Sequence, residues 1–188
     1  MEGKVVIFSA PSGSGKSTII KHLLTKFNQL EFSISATSRA PRGQEQNGVD
    51  YFFLTQEEFR AKVEADAFVE WEEVYNGTCY GTLKSEMQRI WDKGNVIIFD
   101  VDVKGGLNIK KIFGANALSI FIMPPSIEEL RHRLTLRATD SPETIEKRVA
   151  KAAEEITFAE QYDVCIMNDK LEIACAEAEE VLKKFIEQ

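Results

Sequence analysis

The stretch SAPSGSGKST at 9–18 limits the fold more than any other part of this chain. It follows the apolar run Val5 to Phe8 and precedes Ile19, Ile20, Leu23, Leu24 and Phe27, whose spacing predicts a helix. The unit is therefore strand, glycine-rich turn, helix. Converging backbone N–H groups at a helix N-terminus, with a lysine beside them, form a cradle for phosphate. Ser12, Gly13, Ser14, Gly15, Lys16, Ser17 and Thr18 supply those parts in order. The usual pattern is Gly, four residues, then Gly-Lys-Ser/Thr, and here Ala10 fills the first glycine position. A methyl group fits at a strand exit if φ stays negative, so a slightly altered turn is expected rather than loss of the site.

This loop leaves GTPases, ATPases and small-molecule kinases open. The guanine signature Asn-Lys-x-Asp of a GTPase is missing, and Asn168-Asp169-Lys170 has the wrong order. Asp100 ends the apolar strand Val96 to Phe99, where a carboxylate holds the water shell of a metal. Ser17 is the expected direct Mg²⁺ ligand, and Lys16 the neutraliser of the β and γ phosphates. Asp102, two residues on, points the same way along the strand; capping of a helix is the other reading for one of the two.

The totals narrow the partners. With 188 residues, 44 % hydrophobic and 28 % charged, the chain fits one ordinary folded domain, with room for an inserted lobe. A formal charge of −7 opposes non-specific nucleic-acid binding, so any anionic ligand needs local positive charge. No apolar run approaches the roughly 20 residues that span a bilayer, and Val5 to Phe8 is too short for a signal-peptide core. A cytoplasmic protein without a membrane partner is expected. Cys79, Cys165 and Cys175 form no C-x-x-C pair, which points to reduced thiols.

Past the first helix the pattern changes. Extended pieces at Phe32 to Ala36, Tyr51 to Leu54 and Phe68 to Tyr75 surround one helix capped by Thr55-x-x-Glu58. Asn76-Gly77 marks a hairpin. Leu83, Met87, Ile90 and Trp91 predict a helix; Val96 to Phe99 and Leu118 to Met123 read as strands buried on both faces. Ser126-x-x-Glu129 and Ser141-Pro142 start two further helices. Val164 to Met167 is a last strand, and Ala174, Ala178, Val181, Leu182 and Phe185 stripe the closing helix. Strands alternating with helices imply an α/β domain of three layers around a parallel sheet, with a β-rich insertion.

The insertion carries the parts of a second anion site. Arg39 and Arg42 flank a proline and Tyr51 follows, so two guanidinium forks and a phenol can converge on one phosphate monoester. In FVEWEEV, Glu70 shares a strand face with Glu72 and Val74. Guanine offers two adjacent donors on one edge, its ring N–H and its amine, so an inward Glu70 would select guanine; an exposed Glu70 is the other reading.

In this order, APSGSGKST, SISATSRAPR, GVDYFF, FVEW, CYGT, the DVD pair and RLTLRATDSPETIEKR resemble the guanylate kinase family over nearly the whole chain. The resemblance implies a P-loop NTPase core (1–31, 83–124 and 160–188), a GMP-binding lobe (about 32–82) and a helical lid (about 125–159). It implies ATP and Mg²⁺ as cofactors, GMP and dGMP as substrates, and a monomer or homodimer. Carried over by position, Arg39, Arg42, Tyr51 and Tyr80 hold the GMP phosphate. Ser35, Glu70 and Thr82 meet guanine, and Asp102 lies near base or ribose. Arg137 and Arg148 are catalytic lid arginines with Lys16 and Arg39, and Arg133 is a further candidate. Two departures are Ala10 and the segment YNGTCYGT, one residue longer than the common form, with Cys79 where a second tyrosine often stands. The rivals are a P-loop kinase for another phosphorylated small molecule, which has no use for Glu70, and a non-catalytic phosphopeptide-binding module, which would not keep Lys16 and the lid arginines. His22 and His132 read as surface residues.

Overall fold

The computed structural model describes residues 3–75, 77–136 and 141–188. Strand β1 (Val5–Ser9) is buried along its whole length and runs into the glycine-rich turn, after which α1 (Lys16–Lys26) begins. The chain continues through β2 (Leu30–Phe32), β3 (Ala36–Thr37), β4 (Phe52–Phe53) and α2 (Gln56–Glu64). Next come β5 (Phe68–Tyr75), β6 (Thr78–Leu83), α3 (Lys84–Trp91), β7 (Val96–Asp100) and α4 (Val103–Phe113). The last elements are β8 (Ala117–Met123), α5 (Ile127–Leu136), α6 (Pro142–Ile156), β9 (Val164–Met167) and α7 (Leu171–Glu187).

The central sheet has the order β2-β7-β1-β8-β9, and β8 pairs in parallel with both β1 and β9. Its inner strands β7, β1 and β8 are apolar runs buried along nearly their whole length, as strands covered on both faces are, whereas β2 and β9 at the edges are partly exposed. LEF at 30–32 joins this sheet, whereas the sequence predicts an extended piece over Phe32 to Ala36; the chain instead leaves one sheet after Phe32 and enters the second at Ala36. That second sheet, β4-β3-β6-β5, carries the insertion.

Contacts divide the chain into Met1–Leu30 with Ile98–Gln188, and Glu31–Ile97. The second unit thus runs past residue 82 and takes in α3, which ion pairs from Arg89 and Lys93 to Glu31 bind to that lobe.

Local signals place the helices as expected. Thr55 and Glu58 form a reciprocal capping box on α2. Ser126 Oγ accepts from Glu129 N, and Ser141 caps α6 ahead of Pro142. Leu83, expected in a helix, ends β6 and precedes α3 in extended conformation. Asn76 lies outside the described residues, and β5 and β6 on either side of it form the expected antiparallel pair. In the lobe, Phe59 of α2 stacks on Phe68 with ring centroids 4.5 Å apart. In the other unit α5 and α6 pack through Leu130, Leu134, Ile145, Val149 and Ala152. No described helix is long and apolar enough to cross a membrane.

Candidate active site

Each unit gathers one set of the residues expected to meet phosphate. In the first, Gly13 and Gly15 take φ of 99° and 90°, which turns the chain from β1 into α1 and leaves the helix N-terminus open. Ala10 has no positive φ, so this turn does not need glycine there. Ser14 N donates to Pro11 O at 3.1 Å, and Thr18 N and Ile19 N donate to Gly15 O. A cavity of about 390 Å³ opens over this turn. Ser12, Gly13, Gly15, Lys16, Ser17, Thr18, Asp100 and Asp102 all line it, as do Arg148, Lys151 and Glu155 from α6.

The ammonium of Lys16 donates to the Asp100 carboxylate. Asp102 accepts from Gly105 N at 2.8 Å and caps α4, so the capping alternative describes its hydrogen bond while its side chain still borders the cavity. Arg148 Nη1 donates to Ser12 Oγ at 2.9 Å, bringing α6 onto the turn. Arg137 lies outside the described residues. Arg133 is absent from the cavity wall: it donates to Glu129 Oε1 at 2.8 Å and to the Asn168 carbonyl at 3.0 Å.

Three residues enter here that the sequence reading missed. Asn168 Nδ2 donates to Ser14 O at 2.7 Å, and Asn168 N donates to Met123 O, so the end of β9 holds the turn from behind. A Cβ on Gly15 would sit 2.2 Å from that amide nitrogen, so a side chain there would push the Asn168 amide off Ser14 O and would also be strained by the positive φ. No local pattern marks Asn168. Lys151 and Glu155 were detectable, because they follow Arg148 at i+3 and i+7 on one helix face. Burial pushes the Glu155 carboxyl above its ordinary value, against the attraction of Lys151 3.6 Å away.

The side chains present suit Mg²⁺. That ion keeps water and substrate oxygens and needs only one or two protein oxygens. Ser17 and Asp100 face one cavity, and no cluster of three metal-binding side chains occurs among the described residues.

In the second unit Arg39 is the centre. Its Nε donates to Tyr80 OH at 3.1 Å, and its guanidinium lies 4.9 Å from the Tyr51 ring centroid and 5.5 Å from that of Phe53. Tyr51 and Tyr80 meet edge to face at 5.9 Å. Arg42 stays exposed. Glu45, another residue missed from sequence, accepts from both Nη atoms of Arg39 at 2.6 and 2.8 Å and from Arg42 N at 2.7 Å. The Arg39 hydrogen bonds, then the Arg42 N–H, pull its carboxyl down to about 2. A search for an acid within a few residues of the arginine pair would have found it.

Glu70 and Thr82 are register partners across β5 and β6, and Thr82 Oγ donates to Glu70 Oε1 at 2.7 Å. Glu70 is therefore half-buried and engaged rather than free on the surface. Ser35 precedes β3, its carbonyl accepting from Phe52 N at 2.9 Å. Arg39, Arg42, Tyr51, Tyr80, Ser35, Glu70 and Thr82 thus all belong to this unit, and Asp102 belongs to the other.

The guanylate kinase family model matches residues 2–185. The guanylate kinase of Bacteroides thetaiotaomicron is 61% identical over 186 residues, covering 99% of this chain and 91% of that protein. The guanylate kinase of Porphyromonas gingivalis is 56% identical over 184 residues, covering 97% and 98%. A crystal structure of guanylate kinase from Anaplasma phagocytophilum, 30% identical, aligns with a TM-score of 0.71 over 97% of this chain and 85% of that one. A glycine turn with its lysine, a separate arginine and tyrosine socket, and full-length likeness at this identity agree: the chain belongs to the guanylate kinase family.

Proposed function

We propose that this protein transfers the γ-phosphoryl group of ATP to GMP, giving ADP and GDP. The observation that carries the reading is the pairing, in one chain, of a triphosphate cradle around Lys16 with an arginine socket beside the Glu70–Thr82 pair.

Phosphoryl transfer needs in-line placement and charge compensation more than covalent help from the protein. The attacking group is an oxygen of the GMP phosphate, whose second pKa near 6 leaves it largely ionised at neutral pH, so no general base is required. His22, beside Glu179 on α7, and the exposed His132 are accordingly not needed for proton transfer. The turn from Gly13 to Thr18 receives the ATP phosphates at the N-terminus of α1, and Lys16 exchanges Asp100 for the β and γ oxygens. Mg²⁺, held by Ser17 and through water by Asp100, would neutralise part of the triphosphate charge. Arg39 and Arg42, with Tyr51 and Tyr80, hold the monophosphate. Arg148 from α6, and Arg137 by the family pattern, add positive charge around the group in flight; such arginines contribute roughly 10³ to 10⁵ in rate.

Base choice rests on Glu70, which accepts from the guanine ring N–H and amine, with Ser35 and Thr82 beside it and Asp102 toward the base or ribose. Adenine presents an acceptor where guanine has a donor, and a buried mismatch costs about 1–3 kcal/mol.

The test is ADP release from ATP and Mg²⁺ with GMP, dGMP, AMP and UMP offered in turn. Turnover with GMP far above AMP and UMP is expected. Equal rates with all four, or none with GMP, would overturn the reading.

A further inference from the structure

Helix α3 starts two residues after Thr82: Leu83 precedes it, and Glu86 is its third residue. An acid in a helical first turn ordinarily faces water, near the positive end of the dipole. Glu86 is instead 3% exposed, and it is the one charged residue in the buried set among the described residues. A buried carboxylate is retained only where it meets donors.

Those donors fall into two groups. Arg89, one helical turn on, gives Nε to Glu86 Oε2 and Nη2 to Glu86 Oε1, both at 2.8 Å. Ile34 N, from the segment that leads into β3, donates to Glu86 Oε1 at 3.2 Å. Arg89 Nη1 then reaches Glu31 Oε1 at 2.5 Å, and Glu31 also accepts from Lys93 and from Asn95 Nδ2. Burial alone would raise the Glu31 carboxyl; hydrogen bonds from Lys93, Asn95 and Arg89 bring it to about 2 instead. The helix after Thr82 is thereby clamped to both ends of the segment 31–34.

The ladder between β3 and β6 explains why a clamp is needed. Its register sets Ala36 against Gly81 and Thr37 against Tyr80, and continued by one residue it would set Ser35 against Thr82. Strand β3 stops at Ala36, and the buried Ser33 hydroxyl makes no hydrogen bond. Between Phe32 and Ala36, Phe52 N donates to Ser35 O and Ile34 N donates to Glu86 Oε1.

We infer that Glu86 is a positioning residue for guanine recognition: its carboxylate, locked by Arg89, takes the place of the missing ladder rung and sets Ser35 relative to the Glu70–Thr82 pair. The inference rests on the proposed GMP reading of that face. Glu86 touches no nucleotide and acts through the backbone of Ile34.

The test is steady-state kinetics on the full chain with each nucleotide varied separately. In Glu86→Gln, an amide cannot accept from Ile34 and both Arg89 donors together. The KM for GMP is expected to rise about five- to tenfold, the net value of one ordinary hydrogen bond, with kcat and the KM for ATP within about twofold. The double substitution Glu86→Met with Arg89→Met exchanges the ion pair for apolar packing, which often preserves stability. It should still fold, melting below wild type because Arg89 also leaves Glu31, and show the same GMP defect, because the Ile34 N–H regains no acceptor. An unchanged KM for GMP in both, equal rises for both nucleotides, or failure of both variants to fold would overturn the positioning role. A wild-type protein inactive on GMP would sink the proposed function itself, which separates the two failures.

Discussion

Both carboxylate oxygens of Glu45 lie on the guanidinium of Arg39, at 2.6 and 2.8 Å. The internal carboxylate takes the fork that a phosphate monoester would use.

Glu45→Gln should therefore lower the thermal midpoint of the free protein by a few degrees, and saturating GMP should narrow the gap, because bound anion replaces the lost charge. A gap unaffected by GMP would place the phosphate away from Arg39. The pH dependence has a definite sign. The folded carboxyl sits at about 2 against an ordinary 4.5, so its stabilisation is complete above about pH 4.5 and disappears as acid approaches pH 2. The difference between variant and wild type should vanish over that window.

Glu70→Ala removes the acceptor from the Thr82 hydroxyl and from the proposed guanine edge. GMP affinity should fall about 10-fold or more while ATP affinity holds, read by separate titrations. Equal losses for both nucleotides would indicate damage to the fold.

Gly81→Ala tests packing behind the same face. A Cβ there would meet Trp71 Cβ at 2.8 Å, Glu70 O at 2.9 Å and Phe68 Cδ1 at 2.9 Å. The backbone carbonyl cannot turn aside, so β5 and β6 must separate. The expected loss is about 1–3 kcal/mol in chemical denaturation, with a weakened response to GMP. A variant as stable as wild type would show that the two strands can shift freely.

Glu155→Gln tests the carboxyl that burial raises on α6. Charge on it is disfavoured in the folded chain, so its cost is greatest above the folded pKa and absent below the ordinary value of 4.5. Lys151 acts on it from the same helix face, and Lys16 and Asp102 from other elements lining the cavity. The variant should melt higher than wild type at about pH 7 and level with it at about pH 4. A difference independent of pH would remove the electrostatic explanation.

Much of this was legible because it is encoded locally. The lysine turn lies in a ten-residue stretch between an apolar strand and an amphipathic helix. Thr55 with Glu58, and Ser141 with Pro142, mark helix starts through hydrogen bonds that span one turn. Val96 to Phe99 reads as a strand buried on both faces because its apolar run allows little else.

Tertiary structure decided what depends on distant partners. LEF at 30–32 has no periodicity to choose a sheet, and pairing beside β7 chose it. Asn168 acquires its place behind Ser14, 154 residues earlier, only when β8 and β9 align. Glu86 looks in sequence like any first-turn acid and is buried only because Arg89 and Ile34 meet it. Periodicity and caps act over one or two turns of chain, so sequence alone reveals which elements form and which carry chemistry. Register and burial are set by residues far apart in the chain, so which side chains share a site is settled only by the folded protein.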